Sequence, residues 1–169
     1  MTKPLPLPPL ELLEKHFECD PELGELRWKN NVNSRARKGD IAGHQELNGY
    51  RTIRIYGKKY SYHRILWYLT TKRDPGELQI DHKNTIKSDN RFSNLRLVTN
   101  QQNQWNVAHR KTNKSGYIGV SRAGYRKWRC CISVNNKDKY IGTFTTKDEA
   151  SAAYINAARE LRGTYARWA

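Results

Sequence analysis

The chain of 169 residues carries a formal net charge of +15, from 31 Lys and Arg against 16 Asp and Glu. Such an excess favours a polyanionic partner, which could be double-stranded DNA, RNA or an anionic membrane surface, with a merely solubilising surface as the alternative. No apolar run approaches the roughly 18 residues that a membrane-spanning helix needs, so the sequence predicts no membrane partner.

The cysteines indicate neither a disulfide framework nor a structural metal site. Cys19, Cys130 and Cys131 form no C-x-x-C pair, which is the spacing typical of structural zinc. Free thiols are typical of a reducing compartment, and the N-terminus lacks the apolar core of a signal peptide. We therefore predict no structural zinc and a cytoplasmic location.

Residues 1–49 are interpreted as an N-terminal leader and basic loop. Alternating Pro and Leu indicate an extended arm, after which Pro9 begins a short helix that runs through Leu13 to Phe17. The polar and basic stretch 30–38 predicts a loop.

Residues 50–108 predict a region of short strands and helices. The alternation in YRTIRIYGKKYSYHR breaks at Tyr56-Gly57-Lys58, which indicates a hairpin. The run ILWYL predicts a short buried helix or strand, and its pattern does not decide between them. LQIDH and LRLVT predict two strands separated by a polar loop, and Thr99 can cap the helix that follows.

The pair Asp81-His82 ends a predicted strand directly before that polar loop. Phosphodiester hydrolysis needs a base that activates water and a divalent cation that neutralises charge on the phosphate. The Asp81 carboxylate is a hard ligand for Mg²⁺ or Mn²⁺, and the His82 imidazole titrates in the range of a general base. Neighbours on a strand point to opposite faces, so both can serve one site only where the strand ends or twists.

Asn103 lies about one turn into the helix after Thr99, and its amide oxygen is a neutral hard ligand. A strand-end Asp81 and a helical Asn103 can then hold one ion between sheet and helix. On spacing alone, the alternative is that these polar side chains only cap loops and turns.

The stretch IDHKNTIKSDNRFSNLRLVTNQQNQWN resembles HNH nucleases of the phage homing-endonuclease type, within the ββα-metal superfamily. The similarity covers roughly residues 50–106 and includes the upstream segment YHRILW. It implies that Asp81 and Asn103 are ligands of one Mg²⁺ or Mn²⁺ ion and that His82 is the general base. It also implies that Asn94 braces the loop and helps to orient the histidine. His63 is an auxiliary candidate that could reach the site, although a packed or hydrogen-bonded histidine is the favoured interpretation.

Residues 109–115 predict a polar linker, and residues 116–169 predict a compact unit. Three strands are expected in YIGVSR, KWRCCISV and KYIGTF, with a hairpin turn at Asn135-Asn136-Lys137-Asp138 between the last two. The sequence from Thr146 to Glu149 fits a capping box, and apolar residues recur behind it at helical spacing. The expected fold class is α+β: a ββα-metal HNH unit plus a small three-stranded antiparallel sheet packed on one helix.

Basic and aromatic side chains interleave along these last strands. A twisted sheet can enter the major groove of DNA, where Arg reads guanine while Lys and Tyr hold the backbone. For Trp128 and Tyr140, a place in the core is an equally good interpretation. The candidates for DNA contact are Arg122, Arg126, Trp128, Arg129, Lys139 and Tyr140.

The stretches SGYIGVSR, KWRCCI and YIGTFTTKDEASAAYINAARELRG resemble the APETALA/ethylene-response-factor type of DNA-binding domain over residues 115–163. The resemblance implies that the sheet, rather than the helix, lies in the major groove. The loop before Trp128 departs from the family's usual Gly-Lys hairpin, so contacts to individual bases are not assigned.

These features predict a metal-dependent DNA endonuclease that acts at a preferred site, with homing-endonuclease character. One active site per chain favours a monomer that nicks, and no small-molecule cofactor is expected. The alternative is a sequence-specific DNA-binding protein, a repressor or architectural factor, whose HNH unit is inactive. The joint presence of Asp81, His82, Asn94 and Asn103 favours the enzyme. No single-strand stacking signature is present, which argues against an RNA-directed nuclease.

Overall fold

The computed structural model describes residues 4–105, 114–134 and 137–165. The chain divides into two compact units, Met1–Thr99 and Asn100–Ala169, called here the first and the second unit. Both combine short antiparallel strands with helices, which confirms the predicted α+β class. No helix in these described ranges is long and apolar enough to cross a membrane.

The first unit combines helices with small antiparallel sheets. Its elements, in chain order, are α1 (Leu10–His16), β1 (Phe17–Asp20), β2 (Glu25–Trp28), β3 (His44–Gln45), β4 (Arg51–Ile55), β5 (Lys58–Ser61), α2 (Tyr62–Thr71), β6 (Gln79–His82), a 3₁₀ turn (Phe92–Asn94) and β7 (Leu95–Val98). Strand β1 pairs with β2 and β6 pairs with β7, whereas β4 lies between β3 and β5.

One hydrophobic core joins these elements, and the segment interpreted as a leader contributes to it. Leu13 and Leu26 from that segment are fully buried in the same cluster as Ile53 and Leu66. The Tyr62 hydroxyl accepts a hydrogen bond from Leu26 N at 2.5 Å, which ties α2 to β2. The described residues of this segment therefore belong to the same folded unit as Asp81-His82, because their apolar side chains share one core with those of α2 and β4.

The predicted hairpin between β4 and β5 is confirmed. Tyr56 and Gly57 form its turn with positive φ values of 47° and 75°, as the tight turns of hairpins require. The run ILWYL, for which helix and strand were both open, lies in α2 and buries Ile65, Leu66 and Leu69. Their spacing places these three side chains on one face of a helix.

The second unit is a three-stranded sheet packed on one long helix. Its elements are α3 (Asn100–Trp105), β8 (Val120–Arg122), β9 (Trp128–Val134), β10 (Lys137–Phe144), α4 (Lys147–Arg162) and a 3₁₀ turn (Gly163–Tyr165). Strand β9 is central, and its Cys130 and Ile132 are buried against Ala150, Tyr154 and Ala158 of α4. Alanines on the helix allow this close approach of helix to sheet.

The expected ends of α4 are confirmed. Thr146 accepts a hydrogen bond from Glu149 N, and the Glu149 carboxylate accepts from the Thr146 backbone, which completes a capping box. Gly163, at a φ of 56°, follows the last residue of the helix. Of the predicted turn, Asn135 and Asn136 lie outside the described residues. Lys137 and Asp138 were predicted wrongly, since they pair with Val134 and Ser133 as the first residues of β10.

Strand β10 contains a bulge between Tyr140 and Gly142. Tyr140 pairs with Cys131 and Gly142 pairs with Cys130, so Ile141 is the extra residue on this strand. Beyond the bulge, Phe144 pairs with Trp128, and both pack against the core of the second unit.

Candidate active site and DNA-contact face

The side chains of Asp81 and His82 are both buried, with exposed fractions of 7% and 3%. Strand β6 ends at His82, where Thr85 N donates to the His82 carbonyl oxygen and closes a turn. Thr85 adopts a positive φ of 64° within this turn. Asp81 and His82 can serve one site only where their strand ends or twists, and β6 ends at His82.

Asp81 forms an ion pair across the two-stranded sheet. It lies opposite Arg96 of β7 in the strand register, and its Oδ2 accepts from Arg96 Nε at 2.9 Å and from Nη2 at 2.8 Å. Both side chains are largely buried, and buried polar groups need such partners. Arg96 therefore holds the Asp81 side chain in place.

The His82 ring is held by Asn90 from the following loop. His82 Nε2 lies 3.1 Å from Asn90 Oδ1, while Asn90 Nδ2 donates to the Ser88 carbonyl oxygen at 3.3 Å. The contact with Ser88 fixes the orientation of the amide, so its oxygen faces the histidine and accepts from Nε2–H. In the neutral ring, Nδ1 is then the basic nitrogen.

Two further rings surround His82. Tyr50 lies with its ring centroid 6.0 Å from that of His82, and His63 lies at 5.4 Å in an edge-to-face arrangement. Burial raises the pKa of the Tyr50 phenol, and the nearby Asp81 adds to this effect. Burial also lowers the pKa of His63 to about 3, assisted by the adjacent His82 and Arg64, so His63 is neutral at physiological pH.

Asn94 braces the loop between β6 and β7. Its Oδ1 accepts from Asn84 N at 3.0 Å, and its Nδ2 donates to Asn84 Oδ1 at 3.0 Å and to the Asp89 carbonyl oxygen at 2.8 Å. Its own carbonyl oxygen accepts from Lys83 N. The structure thus places Asn94 at the base of the loop, whereas the side chain that contacts His82 directly is Asn90.

The turn between β1 and β2 supports the same loop from outside. Phe92 N donates to the Pro21 carbonyl oxygen at 2.8 Å. Gly24, at a φ of 71°, lies so close to the backbone of Asn90 and Arg91 that a Cβ would come within 2.3 Å of it. Glycine is therefore required at this contact, for its conformation as well as for its size.

Arg64 positions the segment that leads into β6. Its Nη1 donates to the Leu78 carbonyl oxygen at 2.8 Å, and its Nη2 donates to that of Gly76 at 2.7 Å. The guanidinium is buried, with Asp74 at 3.9 Å. Arg64 thus fixes the approach of the chain to Asp81.

The oxygen donors of Asp81 and Asn103 suit a single hard divalent cation. Among the residues that the structure describes, no three His, Cys, Asp or Glu side chains lie close enough together to hold an ion. Mg²⁺ and Mn²⁺ do not need such a cage, since they take one or two protein oxygens and complete their shell with water and substrate phosphates. Asp81 and the Asn103 amide are oxygen donors of this kind. Asn103 lies on α3, which groups with the second unit, and its pairing with Asp81 stays a prediction.

Sequence reasoning found Asp81, His82, Asn94 and His63, and the structure brings these residues into one region of the first unit. It missed Asn90 and Tyr50, which contact the His82 ring, and Arg96, which pairs with Asp81. The register of β6 and β7 could have identified Arg96. No local signal distinguishes Asn90 from the other asparagines of the loop.

The exposed face of the second unit presents basic and aromatic side chains. Arg129 is exposed on β9, whereas Trp128 is only partly exposed and packs against the core. Tyr140 is 59% exposed on β10, next to the exposed Lys139, so the structure places these two aromatic residues differently. Two further predicted contact residues are also exposed: Arg122, at the end of β8, and Arg126, in the loop that follows.

Tyr125, one of the aromatic residues that interleave with basic ones in the sequence, lies in the loop between β8 and β9. It is 80% exposed, and the Arg126 guanidinium carbon lies 5.2 Å from its ring centroid. An exposed aromatic ring paired with an arginine suits contact with a nucleic acid better than it suits a soluble surface alone.

Known proteins resemble this chain both in its HNH segment and in its C-terminal region. Residues 60–105 match the family described as HNH endonuclease. An uncharacterized HNH endonuclease, L560, of Acanthamoeba polyphaga mimivirus is 30% identical over 109 residues, which cover 64% of this chain and 56% of that protein. Protein 3.8 of Escherichia phage T7 is also 30% identical over 109 residues, covering 63% of this chain and 88% of the phage protein.

The C-terminal region has different relatives. The AP2-like ethylene-responsive transcription factor ANT of Arabidopsis thaliana is 36% identical over 91 residues, which cover 48% of this chain and 16% of that protein. The resemblance noted for residues 115–163 is thereby confirmed.

Among solved structures, the HNH homing endonuclease I-HmuI, in a study of DNA binding and cleavage, matches with 22% identity and a TM-score of 0.42. The match covers 57% of this chain and 54% of that one. On the family match and on the near-complete coverage of the phage relative, the chain belongs to the HNH endonuclease family.

Proposed function

We propose that the chain is a metal-dependent DNA endonuclease in which residues of the first unit, together with Asn103 of α3, cleave the DNA and the sheet of the second unit binds the target. The observation that carries this proposal is the His82 ring, buried at the end of β6 and held through Nε2 by Asn90. A ring fixed in this tautomer presents Nδ1 as a base, which is the arrangement that activation of a water molecule needs.

Each residue then has a defined task in the hydrolysis. His82 Nδ1 takes a proton from water as its oxygen attacks the phosphorus atom, and the bond to the leaving oxygen breaks. Asp81 and Asn103 would hold the cation. When bound, a divalent cation neutralises charge on the phosphate and on the leaving oxygen. Asn94 and Asn90 keep the loop and the ring in register, which supplies the positioning component of catalysis.

The second unit supplies a separate surface for duplex DNA. Arg122, Arg126 and Arg129 are exposed on β8, in the following loop and on β9, and Tyr140 is exposed on β10. Arginines that reach base edges carry sequence information, whereas contacts with phosphates mainly position the protein. We assign the preference for a site to this surface and propose that one active site per chain makes a nick.

The second candidate function is DNA binding without cleavage, by a chain whose HNH unit has lost activity. The joint presence of Asp81, His82, Asn94 and Asn103 favours the enzyme, since a decayed site should have lost at least one of them.

Nicking of supercoiled plasmid tests the proposal. With Mg²⁺ or Mn²⁺ the wild-type chain should produce open-circular DNA before linear DNA, and EDTA should abolish this product. His82→Ala should lower the rate by about 10²–10⁴-fold without loss of DNA affinity, because a general base acts only in the chemical step. His16→Ala, a histidine of α1, is the matched control. Cleavage by His82→Ala at the wild-type rate would exclude His82 as the base.

A further inference from the structure

The charges of the first unit are unevenly divided along the chain. From Arg27 to Lys59 the sequence carries many Lys and Arg residues but only Asp40 and Glu46 as acids. The β1–β2 hairpin is acidic instead, and the groove at its surface is lined by Glu18, Asp20, Glu22 and Glu25. A surface that served only for solubility would have no reason to separate the two signs.

The basic residues line a groove of about 450 Å³ between the loop after β2 and the outer face of the sheet β3-β4-β5. We call it the basic groove. Arg35 contributes from the loop, whereas His44, Arg54 and Lys59 contribute from β3, β4 and β5, and Glu46 is the single acid in its lining.

The loop that forms one wall is preformed by hydrogen bonds within itself. Asn33 Oδ1 accepts from Arg35 N, Asp40 Oδ2 accepts from Arg37 N, and Asn31 Oδ1 accepts from Lys38 N, all at 2.8–2.9 Å. Three cationic residues thus have their backbones fixed while their side chains are exposed or half-exposed. A preformed loop loses little conformational freedom when a ligand binds.

Few of these cations are neutralised inside the protein. Lys59 pairs with Glu46 at 2.7 Å. Among the described residues, Arg35 and Arg54 of the lining form no salt bridge, and neither does Arg37 of the adjoining loop. The basic groove therefore offers the uncompensated charges of two arginines to an anion outside the chain.

The basic groove adjoins the loop between β6 and β7 (residues 83–91, called here the catalytic loop) through residues 46–50. Glu46 N donates to the Tyr50 carbonyl oxygen at 2.8 Å, and the Tyr50 ring contacts His82. Lys87 from the catalytic loop reaches back, donating to the Asn48 carbonyl oxygen at 3.1 Å and lying 4.7 Å from the centroid of the Tyr50 ring. One short turn, residues 46–50, thus connects the lining of the groove with the surroundings of His82.

We infer that the basic groove binds the phosphate backbone of duplex DNA beside the scissile phosphate. Its cations are arranged along a concave surface rather than at one point, which suits successive phosphates of a strand better than a single small anion. The inference rests on the proposed function for the location of the cut. It gives the first unit its own contact with DNA, independent of the second unit.

The double variant Arg35→Gln/Arg54→Gln tests this inference in the full chain. Binding of duplex DNA would be measured by fluorescence anisotropy in EDTA over a range of salt concentrations. The slope of log K against log salt should become shallower by about 0.9 for each phosphate that the variant no longer binds. Affinity should fall by the same factor on duplexes of two unrelated sequences, since binding to phosphates carries no sequence information.

The matched control removes the same charge elsewhere on the first unit. Lys15→Gln/Arg73→Gln changes exposed cations that do not line the basic groove. This control should leave the slope near the wild-type value. If both double variants change the slope equally, or if neither does, the groove is not a DNA-binding surface. Thermal melting by circular dichroism identifies any variant that has failed to fold.

The variant Glu46→Gln should strengthen DNA binding rather than weaken it. Its amide can still accept from Thr52 Oγ1, which lies 2.8 Å from Glu46 Oε1, but it no longer neutralises the charge of Lys59. DNA affinity should rise several-fold and the slope should become steeper, whereas Glu22→Gln in the acidic hairpin should have a smaller effect. Unchanged or weaker binding by Glu46→Gln would overturn the inference.

Nicking assays separate this inference from the proposed function. If the wild-type chain nicks plasmid but the groove variants bind DNA as the wild type does, the proposed cleavage is supported and DNA binding by the groove is excluded. If no metal supports nicking but the groove variants show weaker binding and a shallower slope, DNA binding by the groove is supported and the proposed cleavage is excluded.

Discussion

Asn90 determines which nitrogen of His82 carries the proton, because its amide oxygen can only accept a hydrogen bond. We expect Asn90→Leu to lower kcat for nicking by about 10–100-fold with little change in KM, as for other residues that orient a catalytic histidine. Asn90→Asp keeps an acceptor and should retain more activity. The ¹⁵N shifts of the His82 ring should show loss of the Nε2–H tautomer in Asn90→Leu.

Ser93→Ala, an exposed change near the end of the same loop, is the control for Asn90→Leu. Both variants alter the loop, but only one removes the acceptor of His82. Equal activity of Asn90→Leu and Ser93→Ala, with an unchanged tautomer, would show that Asn90 does not position the ring.

His63 makes the stability of the first unit depend on pH. Its pKa of about 3 in the folded chain lies below the ordinary value of 6.5, mainly because of burial, so the unfolded chain binds the proton more tightly. The stabilisation is therefore complete above pH 6.5 and is lost as the pH falls toward 3, by at most about 1.4 kcal/mol per pH unit.

We expect His63→Phe, which keeps an aromatic ring, to flatten this dependence of the free energy of unfolding. Urea denaturation followed through the NMR signals of Ile80 and Leu97 at several pH values would measure it. His16→Phe is the control. Identical slopes for wild type and His63→Phe between pH 6.5 and 4 would contradict the assignment.

At the scale of elements, the β1–β2 turn and the catalytic loop form one structural unit through Gly24. We expect Gly24→Ala to destabilise the first unit by about 1–3 kcal/mol and to reduce nicking, because the new Cβ would displace the backbone of Asn90. Gly57→Ala is the control, since Gly57 also has a positive φ but has no atom near the position of a Cβ. If Gly24→Ala and Gly57→Ala lower the nicking rate and the melting temperature equally, the effect of Gly24→Ala comes from backbone strain alone and not from contact with Asn90.

The elements that could be predicted from the sequence are those that local patterns define. Tyr56-Gly57 interrupts a clear alternation, and Thr146 with Glu149 forms a cap whose partners are three residues apart. The contacts that could not be predicted are long-range. Leu26 meets Tyr62 and Tyr50 meets His82 only after the chain has folded, so neither the role of the leader nor the surroundings of the base has a local signature.

The candidate site was predictable to a similar extent. Asp81-His82 and Asn94 stand out because a polar pair ends a strand and because the spacing resembles a known family. Asn90 and Asn84 lie in the same loop with the same chemistry. Only the path of the loop determines that Asn90 faces the ring while Asn84 contacts Asn94.

At the scale of the whole molecule, the two units have separate cores and can be separated experimentally. We expect a fragment of residues 1–110 to nick DNA with Mg²⁺, but with lower affinity, a shallower salt slope and less preference for a site. Residues 111–169 should bind duplex DNA without cutting it. Gel-shift titration and mapping of plasmid products would measure both properties.

A shorter fragment, residues 1–99, is the matched control because it lacks α3 and therefore Asn103. It should bind DNA as the fragment 1–110 does but should not cut it. If the fragment 1–110 keeps full affinity and the same cut site as the intact chain, the second unit does not select the target.

The bulge in β10 makes the length of that strand as important as its composition. Because Ile141 is one residue more than its partner strand requires, the alternation of faces advances by one position there. Tyr140 can then stay on the surface while Phe144 points into the core. Deletion of Ile141 would only remove the bulge, since Tyr140 would still lie opposite Cys131 and Phe144 opposite Trp128. Deletion of Thr143, in contrast, would turn Phe144 toward solvent. In evolution, this strand can therefore lose a residue at the bulge more easily than beyond it.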